Sequence, residues 1–268
     1  MRRIRQVALA VLVIIALVSL GANVLAPADY ATQFRDIPNA SPSRSHFLGT
    51  DALGRDRLSR TLYGTRISLL LAPAAALIST ALAALIGGLA GFLGGWWKRV
   101  ATAGIDLCLS LPWLFLLITV RAMLPLNASP LVSVVVTFAL LGLLGWATSA
   151  RVLCAGASAI SQSEFVIQAR ASGLHGWRLL VKHIVPNLTP VLFAQFWVSI
   201  PVFILTEANL GILGLGVAEP LPSWGSLLRE LEDFAAFSGE AWKLAPLLLL
   251  ILVVTSFQLL LSADEVRI

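Results

Sequence analysis

Six stretches of this chain are too long and too apolar to be at home in water. They run Val7 to Ala26, Ile67 to Gly95, Ala101 to Leu124, Leu131 to Ala150, Thr189 to Ala208 and Leu244 to Leu261. Each is close to or above the roughly 20 residues that carry a helix across a bilayer. Composition agrees: 58% of residues are hydrophobic and 12% charged, against about 45–50% and about 25% in soluble domains. Mean hydropathy is +0.88. The expected fold class is an all-α membrane protein with six transmembrane helices in a lipid bilayer. A pI near 9.9 and a net charge of +5 would suit nucleic acid in a soluble protein. On a chain this apolar they fit cationic loops on the cytoplasmic side, and no nucleic-acid partner is expected.

The first segment allows two readings. "MRRIRQ" followed by "VALAVLVIIALVSL" has the basic and apolar regions of a signal peptide. The small-residue site ending at Ala26 is followed by Pro27, however, so the segment is read as a retained span. Arg2, Arg3 and Arg5 before it, with Lys98 and Arg99 between the second and third spans, place both termini in the cytoplasm. Counting over the whole chain decides nothing, since ten Lys and Arg fall inside and nine outside. The loop from Pro27 to Arg66 then lies outside with six arginines and four aspartates. Asp56 and Arg60 stand at the i,i+4 spacing of a helical ion pair. Leu58, Leu62 and Ile67 suggest either a helix on the outer membrane surface or a solvated linker helix.

Within the spans, Ser79, Ala83, Gly87, Gly91 and Gly95 recur at steps of four, a small stripe on which another helix can pack closely. Pro73, Pro112 and Pro201 each remove a helical hydrogen bond inside a span. They suit either kinks around a pathway or structural bends. Asp106, Arg121 and Glu207 are ionisable groups in or at the ends of spans. Such groups mark a pathway or gate or a buried partner, or reach the interface by snorkelling from a span end.

Several chemistries are excluded. The lysines Lys98, Lys182 and Lys243 follow Trp97, Val181 and Trp242, so the chain has no glycine-lysine pair of a P-loop. The histidines His46, His175 and His183 fall outside the spans, which leaves an intramembrane serine nucleophile without a base. "LGLG" at 213 to 216 lacks the preceding strand and third glycine of a dinucleotide fingerprint. Cys108 and Cys154 lack metal-ligand spacing. No enzyme, cofactor or metal site is expected.

The charged stretch "EFVIQARASGLHGWRLLVKHIVP", residues 164 to 186, stands out against this background. Ser161 precedes Glu164 by the spacing of a capping box, which predicts a helix to about Ser172 closed by a left-handed Gly173. A second helix is expected from Gly176, with Trp177, Leu180, Val181 and Ile184 on one apolar stripe and Pro186 stopping it. Arg178 and Lys182 share another face. The stripe rests either on headgroups and the protein's own helix ends, or on a cytoplasmic partner.

The ordered series "HFLGTDALGRDRLSRTLYGTRISLLL", "GFLGGWW", "DLCLSLPWL", "EFVIQARASG" with "KHIVPN", and "GLGVAEPLPSWG" resembles the permease subunits of binding-protein-dependent ABC importers. The likeness is to the second permease of the dipeptide, oligopeptide and nickel branch. It implies the type I ABC importer permease fold, in the bacterial cytoplasmic membrane. Residues 1–66 would form a first helix and an external loop with an interfacial helix, and 67–268 a five-helix core with a cytoplasmic coupling loop at about 151–188. By the likeness Gly173 is the motif glycine, and Glu164, Ala169, Trp177, Leu180, Val181, Ile184 and Pro186 belong to the segment that docks on an ATPase. Asp106, Pro112 and Glu207 are candidates for the pathway or gate. The implied partners are a paralogous permease in a heterodimer, two cytoplasmic ATPases and an extracytoplasmic solute-binding protein.

The chain departs from the family where a Glu-Ala-Ala triplet reads Ile167, Gln168, Ala169, and its charged tail is shortened to "SADEVRI". Peptides are the leading solute, with nickel or another metal chelate as the alternative, and a secondary transporter without an ATPase as a rival class. After Pro222, Trp224, Leu227, Leu228, Leu231 and Phe234 form a further apolar stripe, with Glu230, Glu232 and Asp233 elsewhere on the helix. That stripe is expected on the outer membrane surface in preference to a binding-protein contact.

Overall fold

The computed structural model describes residues 2–123, 129–231 and 241–262. Helix α1 (Arg2–Leu20) and the short α2 (Ala22–Leu25) lead into an irregular loop, and α3 (Arg57–Ala83) follows. One wide i→i+5 turn, Ala84–Gly88, joins α3 to α4 (Leu89–Leu93). Then come α5 (Gly95–Ser110), α6 (Trp113–Ala122), α7 (Pro130–Leu144) and α8 (Trp146–Ser161). Beyond them lie α9 (Glu164–Ala171), α10 (Gly176–Leu179), a second wide turn at Leu180–Ile184, α11 (Val185–Ile212), α12 (Trp224–Arg229) and α13 (Ala245–Ser262).

Among the described residues, five helices are long and apolar enough to cross a membrane: Arg3–Leu20, Arg57–Leu93, Pro130–Ser161, Gly176–Ile212 and Ala241–Leu261. The chain is thus a nearly all-helical, multi-pass membrane protein. The sixth expected span, Ala101 to Leu124, is instead a broken pair, α5 and α6. Leu111 is extended (φ −79°, ψ 132°), as the residue before a proline prefers. Helix α6 restarts beyond Pro112, whose carbonyl accepts the Phe115 N–H at 2.8 Å. Pro73 and Pro201, by contrast, stay inside continuous helices.

The chain divides into two compact units, Met1–Ala72 with Arg121–Phe138 and Pro201–Ile268, and Pro73–Val120 with Ala139–Ile200. In the first, α1 packs along α13 and α12 lies against α13. In the second, the first wide turn, α4 and α5 pack on α8. This packing uses the small stripe. A Cβ on Gly87 would stand 2.1 Å from the Ala150 carbonyl oxygen, and one on Gly91 would stand 2.3 Å from that of Cys154. The helix backbones therefore touch, and Ser79 and Ala83 continue the buried line. Gly95 does not belong to it, because nothing lies within 4 Å of its Cβ position.

The external loop contains no separate surface helix among its described residues. Residues 57–66 are the first turns of α3 itself. Asp56 does not pair with Arg60 but caps that helix, accepting the Ser59 N–H at 2.7 Å while its other oxygen meets His46 Nδ1 at 2.8 Å. The capping demand of a new helix outcompetes an exposed i,i+4 pair, which contributes only about 0.3–0.5 kcal/mol.

The glycine contact can be measured. Gly87→Ala forces the wide turn and α8 apart and should cost about 1–3 kcal/mol, whereas Gly104→Ala inside α5, where the Cβ site is open, should leave stability unchanged or raise it by up to about 1 kcal/mol. Thermal melts of the two variants in detergent check this, and equal melting temperatures would count against backbone contact at Gly87.

Candidate coupling site

The charged stretch folds as an elbow on the end of α8. Ser161 is the last residue of α8, so the expected capping box is not formed. Ser163 precedes α9 instead, in an extended conformation, and its hydroxyl donates to the Ile160 carbonyl at 2.6 Å. At the far end of α9 the Gly173 N–H bonds the Arg170 carbonyl and the Leu174 N–H reaches back to Ala169, both at 3.0 Å. This reciprocal pair is the closure a left-handed residue makes possible, and Gly173 has φ +89°. A Cβ there would meet nothing within 4 Å, so the glycine is required by backbone conformation and not by space. Gly176, also left-handed at φ +55°, turns the chain into α10.

The second half departs from expectation. Pro186 does not end a helix. From Gly176 the helix runs on without interruption to Ile212, because the i→i+5 turn at Leu180–Ile184 widens the backbone where the proline ring would meet the carbonyl four residues earlier. The extra residue in that turn also splits the predicted stripe. Leu180 and Ile184 are buried together with Leu179, while Trp177 and Val181 are 74% and 43% exposed. The buried set joins Val166, Ala169 and Leu188 against Ile105 of α5 and Ala150, Leu153 and Ala157 of α8.

The elbow therefore has two sides. One is anchored in its own unit; the other shows Phe165, Ile167, Trp177 and Val181 to solvent among Glu164, Arg170, Arg178 and Lys182, all exposed. Large apolar groups set in a polar rim mark an interaction surface. Pro186 is exposed as well.

The structure separates the three other candidates. Pro112 sits at the break between α5 and α6 and is exposed. Asp106 is paired with Arg151 of α8. Glu207 does not snorkel: it is fully buried, packed so closely on α12 that a Cβ at Gly225 would lie 3.0 Å from its Oε1. The side chain of Arg121 lies outside the described residues.

A family model described as "Binding-protein-dependent transport system inner membrane component" matches residues 83–264, which include the whole elbow. The chain belongs to that family. Two similar proteins are the "Oligopeptide transport system permease protein OppC" of Bacillus subtilis (strain 168) and the "Glutathione transport system permease protein GsiD" of Pectobacterium atrosepticum. The first is 31% identical over 242 residues, 90% of this chain and 77% of that protein. The second is 33% identical over 251 residues, 93% of this chain and 81% of that protein. Against a Brucella suis relative, 35% identical over 205 residues, the match spans 66% of that longer protein. This permease is thus a transport subunit of the ABC importer type and not an enzyme, and its family works with an ATPase and a binding protein.

Sequence reasoning missed a second constellation in the permease, an ionic network joining the loop before α3 to the segment after α11. Arg55 bonds Asp51 at 2.6 Å and Glu219 at 2.5 Å. Arg57 meets Glu230 at 2.9 Å, and the fully buried Arg60 reaches Glu219 at 3.1 Å and Glu230 at 3.4 Å. The stripe after Pro222 is buried inside the protein and does not lie on a membrane surface: Trp224, Leu227, Leu228 and Leu231 are all at most 9% exposed. Leu227 lies against Gly64 of α3. Glu232, Asp233 and Phe234 lie outside the described residues.

The two glutamates respond oppositely to this setting. Burial opposes charge on Glu219, but Arg60 and Arg55 outweigh it and hold its carboxyl below the usual range. For Glu230 burial prevails over Arg60 and Arg57 and pushes the carboxyl up. Ionised Glu219 therefore adds stability above the usual carboxylate range, and loses it as pH falls through its depressed value. The raised Glu230 has the reverse sign, contributing most below that range and less as pH rises. Glu219 is half exposed, so Glu219→Gln should cost about 1 kcal/mol at pH 7, or roughly 2–4 °C in a chain of this size. The deficit should shrink toward pH 3, and Glu230→Gln should cost less at pH 7. Fluorescence melts across that pH range test the order, which a larger loss for Glu230→Gln would reverse.

Proposed function

We propose that this permease forms half of the translocation pathway of an ATP-driven, binding-protein-dependent importer, and that its elbow from Glu164 to Pro186 is the segment an ATPase grips. The observation that carries this reading is the elbow's two-sidedness. Its inner face, with Ala169, Leu180 and Ile184, is packed on α8 and α5, while Trp177, Val181, Phe165 and Ile167 are left uncovered. Force applied to the open side is delivered to the spans through a close-packed interior, which transmits displacement instead of absorbing it. The cationic rim of Arg170, Arg178 and Lys182 suits a groove that is apolar at its floor and acidic at its edge. The position of the lost motif carboxylate falls at Ile167, which is exposed, so the grip here rests on apolar contact and on these cations.

In this reading the other half of the pathway is a paralogous permease in a heterodimer, two ATPases bind the cytoplasmic side, and a binding protein delivers solute outside. Both termini are cytoplasmic, with the exposed Trp96 and Trp97 beside Lys98 and Arg99 at the inner interface. The solute is a di- or oligopeptide. Its support is that relatives bear the names oligopeptide, dipeptide and glutathione permease, the last denoting a small peptide.

Two substitutions test the elbow. Trp177→Ala removes the elbow's most exposed large apolar side chain, and Gly173→Val forces a β-branched residue into a left-handed position at a cost of roughly 1–2 kcal/mol. Both should insert normally. In liposomes with the ATPases and binding protein, binding-protein-stimulated ATP hydrolysis should fall about tenfold or more, equivalent to about 1.4 kcal/mol. Stimulation at the wild-type level in both would overturn the coupling role.

A further inference from the structure

The Asp106–Arg151 pair is out of place for a lipid-facing surface. Asp106 stands about 16 Å along α5 from Gly95, and Arg151 about 15 Å before the end of α8 at Ser161, at about 1.5 Å per residue. Helix α5 opens with the exposed Trp96 and Trp97, residues that favour the membrane interface, so the pair lies well inside a hydrocarbon layer about 30 Å thick. Yet 62% of the Asp106 side chain and 58% of Arg151 are uncovered. Charges at such depth face protein or a water-filled cavity.

The neighbouring residues point to water. On α5 the polar residues Thr102, Asp106 and Ser110 recur at steps of four, with Ser110 exposed. The open strip of α8 holds Thr148, Arg151, Val152, Ala155 and Ala159, all exposed and none of the apolar ones larger than valine. A lipid-facing strip on α8 would carry larger apolar side chains, of the kind α5 shows at the exposed Leu107 beside Asp106. The two strips are joined by one negative and one positive group held side by side, and more than half of each of these side chains is uncovered.

We propose that this pair is a solute-contact site in the pathway for compounds bearing both an ammonium and a carboxylate, such as free peptide termini. The reading rests on the peptide import proposed above. Asp106 receives the ammonium and the Arg151 guanidinium takes the carboxylate in its two-pronged geometry. Without solute the two neutralise each other, so entry exchanges one internal ion pair for two intermolecular ones. That exchange keeps binding selective for zwitterions but weak enough for the solute to move on.

The test uses the assembled transporter with Cys108→Ser and Cys154→Ala, carrying one reporter, Ser110→Cys or Thr148→Cys, with both charges intact. A charged, membrane-impermeant thiosulfonate should label either reporter at least tenfold faster than Leu77→Cys, an exposed position of α3. Millimolar Ala-Ala should slow that labelling, and its N-acetylated, C-amidated form should not. Adding Asp106→Asn or Arg151→Gln should abolish the protection. Labelling no faster than Leu77→Cys would overturn the proposal, because the strip is then covered by protein or lipid. Equal protection by the blocked peptide, or protection that survives both substitutions, would overturn it as well. Uptake of radiolabelled Ala-Ala by the wild-type assembly separates the two readings. Uptake without protection removes only the contact site, and absence of both removes the peptide reading with it.

Discussion

The contact on which the second unit depends is made where side chains are absent. At Gly87 and Gly91 the α3–α4 run meets the backbone carbonyls of Ala150 and Cys154 on α8 so closely that even a methyl group has no room. In a membrane, lipid tails are as apolar as leucine, so helices associate through close packing and not through exclusion of water. Helix α8 is thereby fixed along the stretch that carries Arg151 on its open side and the elbow at its end. The position of the elbow on α8 and α5 follows from these two glycines together with its own buried face.

A different physics holds the first unit. There the loop before α3 and the segment after α11 are joined by buried arginines and by glutamates far away in sequence, with Arg60 and Glu219 separated by 159 positions. Arginine does not lose its proton in proteins, so the network has no neutral state available on the basic side. It can be loosened only by protonating its carboxylates or by moving them away. Close backbone packing and a charge lattice thus divide the chain's stabilisation between its two units.

What could be read from the sequence followed the range of the interactions. Five spans and the left-handed Gly173 were legible, because apolar run length and helix closure are local properties. The burial of Leu179 was not, because it is set by packing against α5 and α8, and the wide turn at Leu180–Ile184 shifts only the side chains after it off the 3.6-residue period. Pro186 misled because a widened turn accommodates a ring that a regular helix would reject. Asp56 looked like the partner of Arg60 by spacing, but the helix that starts at Arg57 claims it as a cap. Arg55 and Asp51 stand at the i,i+4 spacing, but the glutamate partners of Arg55, Arg57 and Arg60, and the pairing of Asp106 with Arg151, are set by tertiary placement, and no spacing rule reaches them.

The uncovered side of the elbow has a consequence for the chain on its own. Trp177, Phe165 and Ile167 are uncovered in the single chain, and a patch of this kind favours self-association. The chain cannot hide the patch by turning the elbow over, because the opposite face is already packed on α8 and α5. A copy whose patch stays uncovered is therefore prone to self-association from the moment it folds.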